Sequence, residues 1–241
     1  MEKVKIIQVR KSILENNGKD ADKLRDELNQ DKTFYINIMS SPGSGKTSTI
    51  LNMIKHLSGK IRIGVLEADI DSDVDAQTVQ NSGIRAIQIH TGGMCHLDAE
   101  MSRQGLRELG TKNLDLVILE NVGNLVCPAE FDTGAHRNIV ILSVPEGDDK
   151  PLKYHLIFKT CNTVLINKID SMPIFDFNMD AVKKYIWERN PKSNIFPVSA
   201  ATGEGMEAWC DWLLEEIRKE FQKEFQKNRP SGTSGKIREE A

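Results

Sequence analysis

The stretch Ser40-Ser41-Pro42-Gly43-Ser44-Gly45-Lys46-Thr47 decides the fold of this chain. It follows the apolar run Phe34–Met39, which predicts a β-strand, and it precedes the helical pattern Ser48–Leu57. A strand, a glycine-rich turn and a helix in this order form a phosphate-binding loop, because backbone N–H groups and the positive end of the helix dipole face one anion. The strict consensus has glycine where this chain has Ser40. The stretch therefore predicts a nucleoside triphosphate as ligand.

Individual residues of this loop have predicted roles. Lys46 would reach the β- and γ-phosphates, and the Thr47 hydroxyl would hold Mg²⁺. The other predicted nucleotide contacts here are Gly43, Ser44, Gly45 and Ser48.

Two later strand ends predict which base is bound. Asn167-Lys168-Ile169-Asp170 follows an apolar run, and an Asp at a strand end can accept hydrogen bonds from the N1–H and 2-amino groups of guanine. Asn167 would support the loop, and the stem of Lys168 would lie along the base. The segment Ser199-Ala200 follows the next run and can present a backbone N–H to the guanine O6. The predicted ligand is GTP or GDP.

Acidic residues at two other strand ends predict the machinery for the γ-phosphate. Glu120 would hold Mg²⁺ or its waters, and the Gly123 N–H would approach the γ-phosphate. Five carboxylates between residues 67 and 75 follow another predicted strand, where Mg²⁺ and water chemistry is favoured over a solvated acidic loop. The candidates are, in order, Asp69, Asp71 and Asp75. The predicted catalytic set is Lys46, Asp69, Asp71, Asp75, Glu120 and Gly123, with Thr47, Asp69, Asp75 and Glu120 as Mg²⁺ ligands. No arginine finger is evident, so we expect slow intrinsic hydrolysis.

Cysteine and histidine predict a second, softer metal site. Cys95 and His96 are adjacent in a glycine-rich loop, and Cys127 lies four residues beyond the predicted phosphate sensor. Thiolate and imidazole suit Zn²⁺, Ni²⁺ or copper ions. Three ligands fall short of a closed tetrahedron, so either a two-fold dimer doubles them or one position stays open. The two other cysteines, Cys161 and Cys210, are predicted to be buried and structural.

The composition excludes several classes of function. The chain has 241 residues, 39% hydrophobic and 28% charged, with a net charge of −3. This charge gives no field that attracts nucleic acid. No stretch predicts a membrane span or a signal peptide, and four scattered cysteines do not form a disulfide framework. We therefore expect a cytoplasmic protein that binds neither nucleic acid nor membrane.

Apolar runs alternate with helical patterns from residue 33 onward. The predicted strands are Phe34–Met39, Ile61–Leu66, Ile84–Ile89, Leu114–Leu119, Ile139–Val144, Thr163–Ile166 and Ile195–Val198. The predicted helices are Ser48–Leu57, Asp98–Leu109, Leu152–Lys159, Met179–Arg189 and Met206–Phe225. This alternation predicts an α/β fold of the P-loop NTPase class, with a mostly parallel sheet of about seven strands and helices on both faces.

The same pattern predicts three regions. Residues 1–30 form an N-terminal helical extension that is broken at Asn16–Gly18. Residues 31–220 form the P-loop GTPase domain. Residues 221–241 contain the end of the last helix and a disordered tail.

Together these motifs resemble the HypB family, GTPases that help to insert nickel into [NiFe]-hydrogenase. The resemblance covers about residues 33–220. It is carried by Ser41–Thr47, Glu67 and Asp69, Gly92–Asp98, Glu120–Pro128, Asn167–Asp170 and Ser199-Ala200. It implies a nickel or zinc site formed by Cys95, His96 and Cys127 at the interface of a nucleotide-dependent homodimer. It also implies two partners, a HypA-type nickel metallochaperone and the hydrogenase large subunit.

One departure from the family bears on the function. Some relatives carry an N-terminal Cys-rich or His-rich stretch, whereas residues 1–30 contain neither residue type. The resemblance therefore implies nickel delivery through the internal site rather than nickel storage.

Three alternatives remain open at this point. The first is a GTP-dependent assembly switch with a structural zinc site, as in signal-recognition-type GTPases. The second is a urease-type nickel-insertion GTPase of the UreG kind, which uses a Cys-Pro-His cluster where this chain has Ala129 after Cys127-Pro128. The third is an ATPase of the Min/Par type, which usually has a second Lys at the position of Ser41 and lacks Asn-Lys-x-Asp.

Overall fold

The fold is a parallel sheet with helices on both faces. The computed structural model describes residues 9–69 and 78–227. The predicted carboxylates Asp71 and Asp75, and residues 228–241 of the predicted C-terminal region 221–241, lie outside the described residues. The described residues include no candidate transmembrane helix.

Seven strands form one sheet in the order β3-β2-β4-β1-β5-β6-β7, and every neighbouring pair is parallel. The strands are β1 Phe34–Ser40, β2 Ile63–Asp69, β3 Arg85–His90, β4 Leu116–Glu120, β5 Arg137–Ser143, β6 Thr163–Asn167 and β7 Asn194–Pro197. All seven predicted strands are confirmed, with ends displaced by a few residues. Because the strands are parallel, the segments that follow them lie at one edge of the sheet.

In the described part of the chain, helices lie before, between and after these strands. They are α1 Val9–Asp31, α2 Lys46–Leu57, α3 Ala99–Leu109, α4 Lys150–Lys153, α5 His155–Thr160, α6 Met179–Arg189 and α7 Met206–Lys227. Short 3₁₀ turns occur at Cys127–Ala129, Val144–Glu146 and Ile169–Ser171.

Alternation along β1 shows how the two faces of the sheet are filled. Phe34, Ile36 and Ile38 point to the face covered by α2 and α7, where Trp209 is fully buried. Tyr35 points to the opposite face and packs in a cluster with residues of α1 and α3. A period of two is what a strand buried on both faces requires.

Two sequence predictions about helices were wrong. The predicted break at Asn16–Gly18 is absent, and α1 runs through Gly18 without interruption. Tertiary hydrogen bonds of Asn17 hold this turn, offsetting the cost of about 1 kcal/mol that glycine carries in a helix. The predicted helix Leu152–Lys159 is divided at Tyr154, whose backbone leaves the helical conformation with φ −117° and ψ 51°.

Candidate functional site

The phosphate-binding loop joins β1 to α2. Gly45 has φ +94°, and a Cβ there would lie 2.6 Å from the Asn167 side-chain nitrogen, so only glycine fits. No side chain caps the start of α2. The backbone N–H groups in the first turn of α2 are therefore not capped by a side chain, and they can bind an anion.

Ser40 supports this loop from below. Its buried hydroxyl accepts hydrogen bonds from the Ser44 hydroxyl at 2.6 Å and from the Lys46 ammonium at 3.2 Å. It donates to the Ser41 carbonyl at 2.8 Å. The sequence showed Ser40 only as a departure from the consensus, and these three hydrogen bonds give it a role in shaping the loop.

Most of the described residues predicted to contact phosphate or Mg²⁺ line one open cleft of about 540 Å³. They are Gly43, Gly45, Lys46, Thr47, Ser48, Asp69, Glu120 and Gly123, and Lys168 of the predicted base-binding loop lines the same cleft. Ser44 is buried and does not line it. The Thr47 hydroxyl donates to the Glu120 carboxylate at 2.9 Å, so two oxygen ligands already converge. Mg²⁺ prefers oxygen ligands, and this donor set fits it. Asp69 ends β2 on the wall of the same cleft.

Asn167 connects three segments at the end of the cleft where the guanine base is predicted to bind. Its buried amide donates to the Ser44 carbonyl at 2.9 Å and accepts from the Ala200 N–H at 3.0 Å. The Lys168 ammonium donates to the Gly43 carbonyl at 2.7 Å. The supporting role predicted for Asn167 agrees with this geometry.

The carboxylate of Asp170 is oriented by Ser199. The Ser199 hydroxyl donates to Asp170 Oδ1 at 2.5 Å, and the Asn52 amide holds the Ala200 carbonyl at 3.2 Å. Asp170 itself is exposed, so its other oxygen can accept from a base. The structure thus brings the two predicted guanine-reading loops together.

Gly123 lies directly against the phosphate-binding loop. A Cβ at Gly123 would lie 3.0 Å from the Pro42 ring and 3.2 Å from its nitrogen. Just before it, the Asn121 amide donates to Asn37 Oδ1 on β1 at 3.0 Å. The chain is therefore anchored at residue 121 and contacts the phosphate loop at residue 123.

The loop that carries Cys95 is linked to the same cleft. Gly92 and Gly93 have φ +63° and +89°, which two consecutive residues with side chains would adopt only with strain. Thr91 closes this turn through its hydroxyl, 2.6 Å from the Met94 carbonyl, and its N–H donates to the Asp69 carbonyl at 3.2 Å. The loop that carries Cys95 therefore starts beside Asp69, which lines the cleft.

The structure brings the thiols of Cys95 and Cys127 together. The side-chain hydrogen bond between Cys127 and Cys95, and after it the partial burial of Cys127, raise the pKa of the Cys127 thiol. Both cysteines are free and half-buried. Cys161 and Cys210 are buried as predicted, and burial raises the pKa of each to about 12.

His96 is stacked on Phe131, with ring centroids 3.7 Å apart and an interplanar angle of 15°. Burial lowers its pKa, against the opposing effect of Asp98 and Glu130, and this favours the neutral imidazole that binds metals. Its buried Nδ1 has no hydrogen-bond partner in the described part of the chain. Sequence reasoning missed Phe131, although it lies only four residues after Cys127.

The three predicted soft ligands do not form one group within a single chain. Among the residues that the structure describes, no three His, Cys, Asp or Glu side chains are placed to hold a metal ion together. The thiols of Cys95 and Cys127 interact with each other, whereas the imidazole of His96 is stacked on Phe131. A second set of ligands from another molecule would complete such a site.

Comparison with known proteins gives one matching family model and relatives that share one name. The family model for the nucleotide-binding domain of CobW/HypB/UreG matches residues 34–197, more than half of the chain. The hydrogenase maturation factor HypB of Rhizobium leguminosarum bv. viciae is 44% identical over 213 residues, which cover 88% of this chain and 71% of that protein. The hydrogenase/urease maturation factor HypB of Helicobacter pylori strain J99 is 37% identical over 222 residues, or 90% of this chain and 91% of that protein.

A solved structure with a similar sequence also has a similar fold. The crystal structure of HypB from Helicobacter pylori in complex with nickel superposes with a TM-score of 0.80 at 37% identity. The match covers 86% of this chain and 97% of that one.

Proposed function

The chain belongs to the CobW/HypB/UreG family and, within it, to the HypB hydrogenase maturation factors, and we propose that it delivers nickel to a [NiFe]-hydrogenase under the control of GTP hydrolysis. The observation that carries this proposal is the path from Gly123, in contact with the phosphate loop, to Cys127, in contact with Cys95. Only three residues separate Gly123 from Cys127. A change at the γ-phosphate would therefore reach the thiol pair through a short stretch of backbone.

The nucleotide is GTP in this proposal. Asp170, oriented by Ser199, would accept from the guanine edge, and Ala200 would lie near its O6. Thr47 and Glu120 would hold Mg²⁺, which offsets the charge of the phosphates when bound, and Lys46 would lie against the same phosphates. No arginine is among the described residues that line the cleft, so we expect slow hydrolysis.

Nickel is the cargo in this proposal, and Cys95, His96 and Cys127 are its proposed ligands. Their thiol and imidazole donors suit Ni²⁺ or Zn²⁺. The absence of a three-ligand group in the described residues of one chain favours a homodimer whose interface completes the site. Met94 and Val126, each next to a cysteine of the pair, are exposed apolar residues that such an interface would cover.

A HypA-type metallochaperone as source of nickel, the hydrogenase large subunit as its recipient, and the cytoplasm as the place of action complete the proposal. The 37–44% identity to HypB relatives favours it over the assembly switch, the UreG-type GTPase and the Min/Par ATPase.

One titration tests the proposed coupling. Ni²⁺ is titrated into the protein bound to GDP and into the protein bound to a non-hydrolysable GTP analogue, while light scattering gives the molecular mass. We expect the two nickel affinities to differ about 10-fold, within the usual range of allosteric coupling, and the mass to double in one state. Equal affinities with equal masses would contradict the proposal.

A cysteine variant tests the assignment of the ligands. The Cys95→Ser/Cys127→Ser double variant should keep its affinity for GTP and lose stoichiometric Ni²⁺ binding, because the nucleotide contacts lie in other segments. The matched control is Cys161→Ala/Cys210→Ala, which removes two buried thiols and should bind Ni²⁺ like the unmodified chain. Retained nickel binding by the Ser variant would overturn the ligand assignment.

A further inference from the structure

One side chain of α1 contacts both cysteine-bearing segments. Asn17 Oδ1 accepts a hydrogen bond from the Ala99 N–H at 2.9 Å, and Asn17 Nδ2 donates to the Asp132 carbonyl at 3.0 Å. Ala99 is the first residue of α3 and lies four residues after Cys95. Asp132 lies five residues after Cys127. Asn17 therefore bridges the downstream ends of the two loops.

The segment around Asp132 is fixed on α1 by further contacts. Arg25 forms an ion pair with the Asp132 carboxylate and donates from Nε to the Ala135 carbonyl at 3.1 Å. Gly134 packs so closely on Leu24 that a Cβ there would lie 2.7 Å from the Leu24 side chain. The downstream end of the Cys127 loop is therefore packed against α1.

The helix that follows Cys95 is fixed on α1 as well. Arg103 of α3 is nearly buried and donates to the Asp20 carbonyl at 3.0 Å, and it pairs with Glu27 at 3.4 Å. Because α1 holds both segments, it sets the distance between them. Among these residues of α1, Asn17 is the one that contacts both segments, at Ala99 and at Asp132.

The residues of the proposed switch lie in one segment whose two ends are each held by a hydrogen bond. It starts at Asn121, bonded to β1, and ends at Asp132, bonded to α1. Gly123, Cys127 and Phe131 lie between them. With both ends held, a displacement at Gly123 would be taken up within the segment, which carries Cys127 and the Phe131 ring stacked on His96.

We propose that Asn17 is a positioning residue of the metal site, which fixes the Cys95–His96 loop against the Cys127 loop and so sets the affinity for Ni²⁺ and its response to nucleotide. This inference rests on the proposed function, because it needs a metal between these loops. Residues that orient metal ligands from outside the ligand shell change metal affinity about 10–100-fold when they are replaced. Asn17 acts through backbone, so the lower value applies.

The test compares Asn17→Ala with Asn16→Ala, which replaces an exposed neighbour on the same helix. Ni²⁺ affinity is measured by competition with a chromophoric chelator in the GDP and GTP-analogue states. We expect Asn17→Ala to bind Ni²⁺ about 10-fold more weakly, with a smaller difference between nucleotide states and an altered thiolate-to-nickel absorption band. GTP affinity should stay unchanged, and Asn16→Ala should match the unmodified chain throughout.

A second variant keeps the inference testable if Asn17→Ala fails to fold. Asn17→Asp keeps the acceptor for Ala99 and loses the donor for Asp132, so it should also weaken Ni²⁺ binding. Unchanged affinity, unchanged state dependence and an unchanged band in a folded Asn17 variant would overturn the inference, even if its unfolding midpoint fell. If the unmodified chain binds no Ni²⁺ through Cys95 and Cys127, the proposed function fails and the inference fails with it.

Discussion

At the scale of single residues, specificity depends on side chains that orient other side chains. Asp170 would read the base, but its carboxylate is held by Ser199. Lys46 would bind phosphate, and its ammonium is held by Ser40. A fixed polar group is selective because a ligand that leaves it unpaired loses a full hydrogen bond in the site.

One substitution tests the proposed role of Asp170 in the choice of base. Asp170→Asn replaces one acceptor by a donor, so the guanine edge meets a mismatched partner. We expect GTP affinity to fall about 100-fold or more, and affinity for xanthosine triphosphate, which carries an oxygen at position 2, to rise. Competition binding with a fluorescent GDP analogue measures both values.

The matched control for this substitution is Asp176→Asn, an exposed carboxylate a few residues further on. It should leave both affinities unchanged. If Asp170→Asn binds GTP like the unmodified chain, Asp170 does not contact the base.

At the scale of secondary structure, α1 shows how tertiary contacts outweigh local propensity. The Asn-Asn-Gly stretch predicts a helix end, yet the helix continues because Asn17 bonds two distant segments. The helix also contributes Ala21, Leu24 and Leu28 to the core. It is part of the packed domain from at least Ala21 onward.

Glycine at position 18 is therefore not needed for the backbone. Nothing lies within 4 Å of a Cβ built there, and the residue is in the middle of a helix. We expect Gly18→Ala to raise the free energy of unfolding by about 0.5–1 kcal/mol. Urea denaturation followed by circular dichroism measures the change. A decrease would mean that the helix is broken here in solution, as the sequence suggested.

The contrast between these positions explains what sequence reasoning can reach. The strands, the phosphate loop and Asn167–Asp170 were predicted because each depends on neighbours in sequence. The stack of His96 on Phe131 and the bridge by Asn17 were not, since they join segments 35 and up to 115 residues apart and leave no periodic pattern. Long-range polar contacts of single side chains have no sequence signature without the fold.

At the scale of the whole molecule, stability depends on pH through a buried histidine. His136 accepts from the Tyr35 N–H at 2.9 Å, and its Nε2 lies 3.0 Å from Asn29 Oδ1, so it joins the sheet to α1. Burial first, and then the positive charges of Arg137 and Arg25, lower its pKa to about 4. The imidazole is neutral in the folded chain at pH 7.

The sign of the pH dependence follows. Between the ordinary pKa of about 6.5 and the folded value of about 4, the unfolded chain binds the proton and the folded chain does not. The contribution of His136 is fully present above pH 6.5 and is lost as the pH falls toward 4. We expect a loss of about 2 kcal/mol at pH 5 and about 3 kcal/mol below pH 4.

Urea titrations from pH 7.5 to about pH 3.5 measure this loss. Comparison with His136→Gln isolates it, because every other titrating group is common to both chains. The variant starts less stable at pH 7.5 and should show a shallower decline. Parallel curves for the two proteins would assign the pH dependence to other groups.

Because all strands of the sheet are parallel, the candidate residues lie at one end of the strands, and the other end is suitable for attaching a label. Every described candidate residue lies at or beyond the carboxyl ends of the strands, whereas the turn at Ser58–Lys60 leads into the amino end of β2. Lys60 is exposed there. A fluorophore or an immobilising tag attached at position 60 would lie at the opposite end of the strands from the proposed GTP and nickel sites. It would let molecular tumbling, and subunit exchange in the proposed homodimer, be followed without contact between the label and either site.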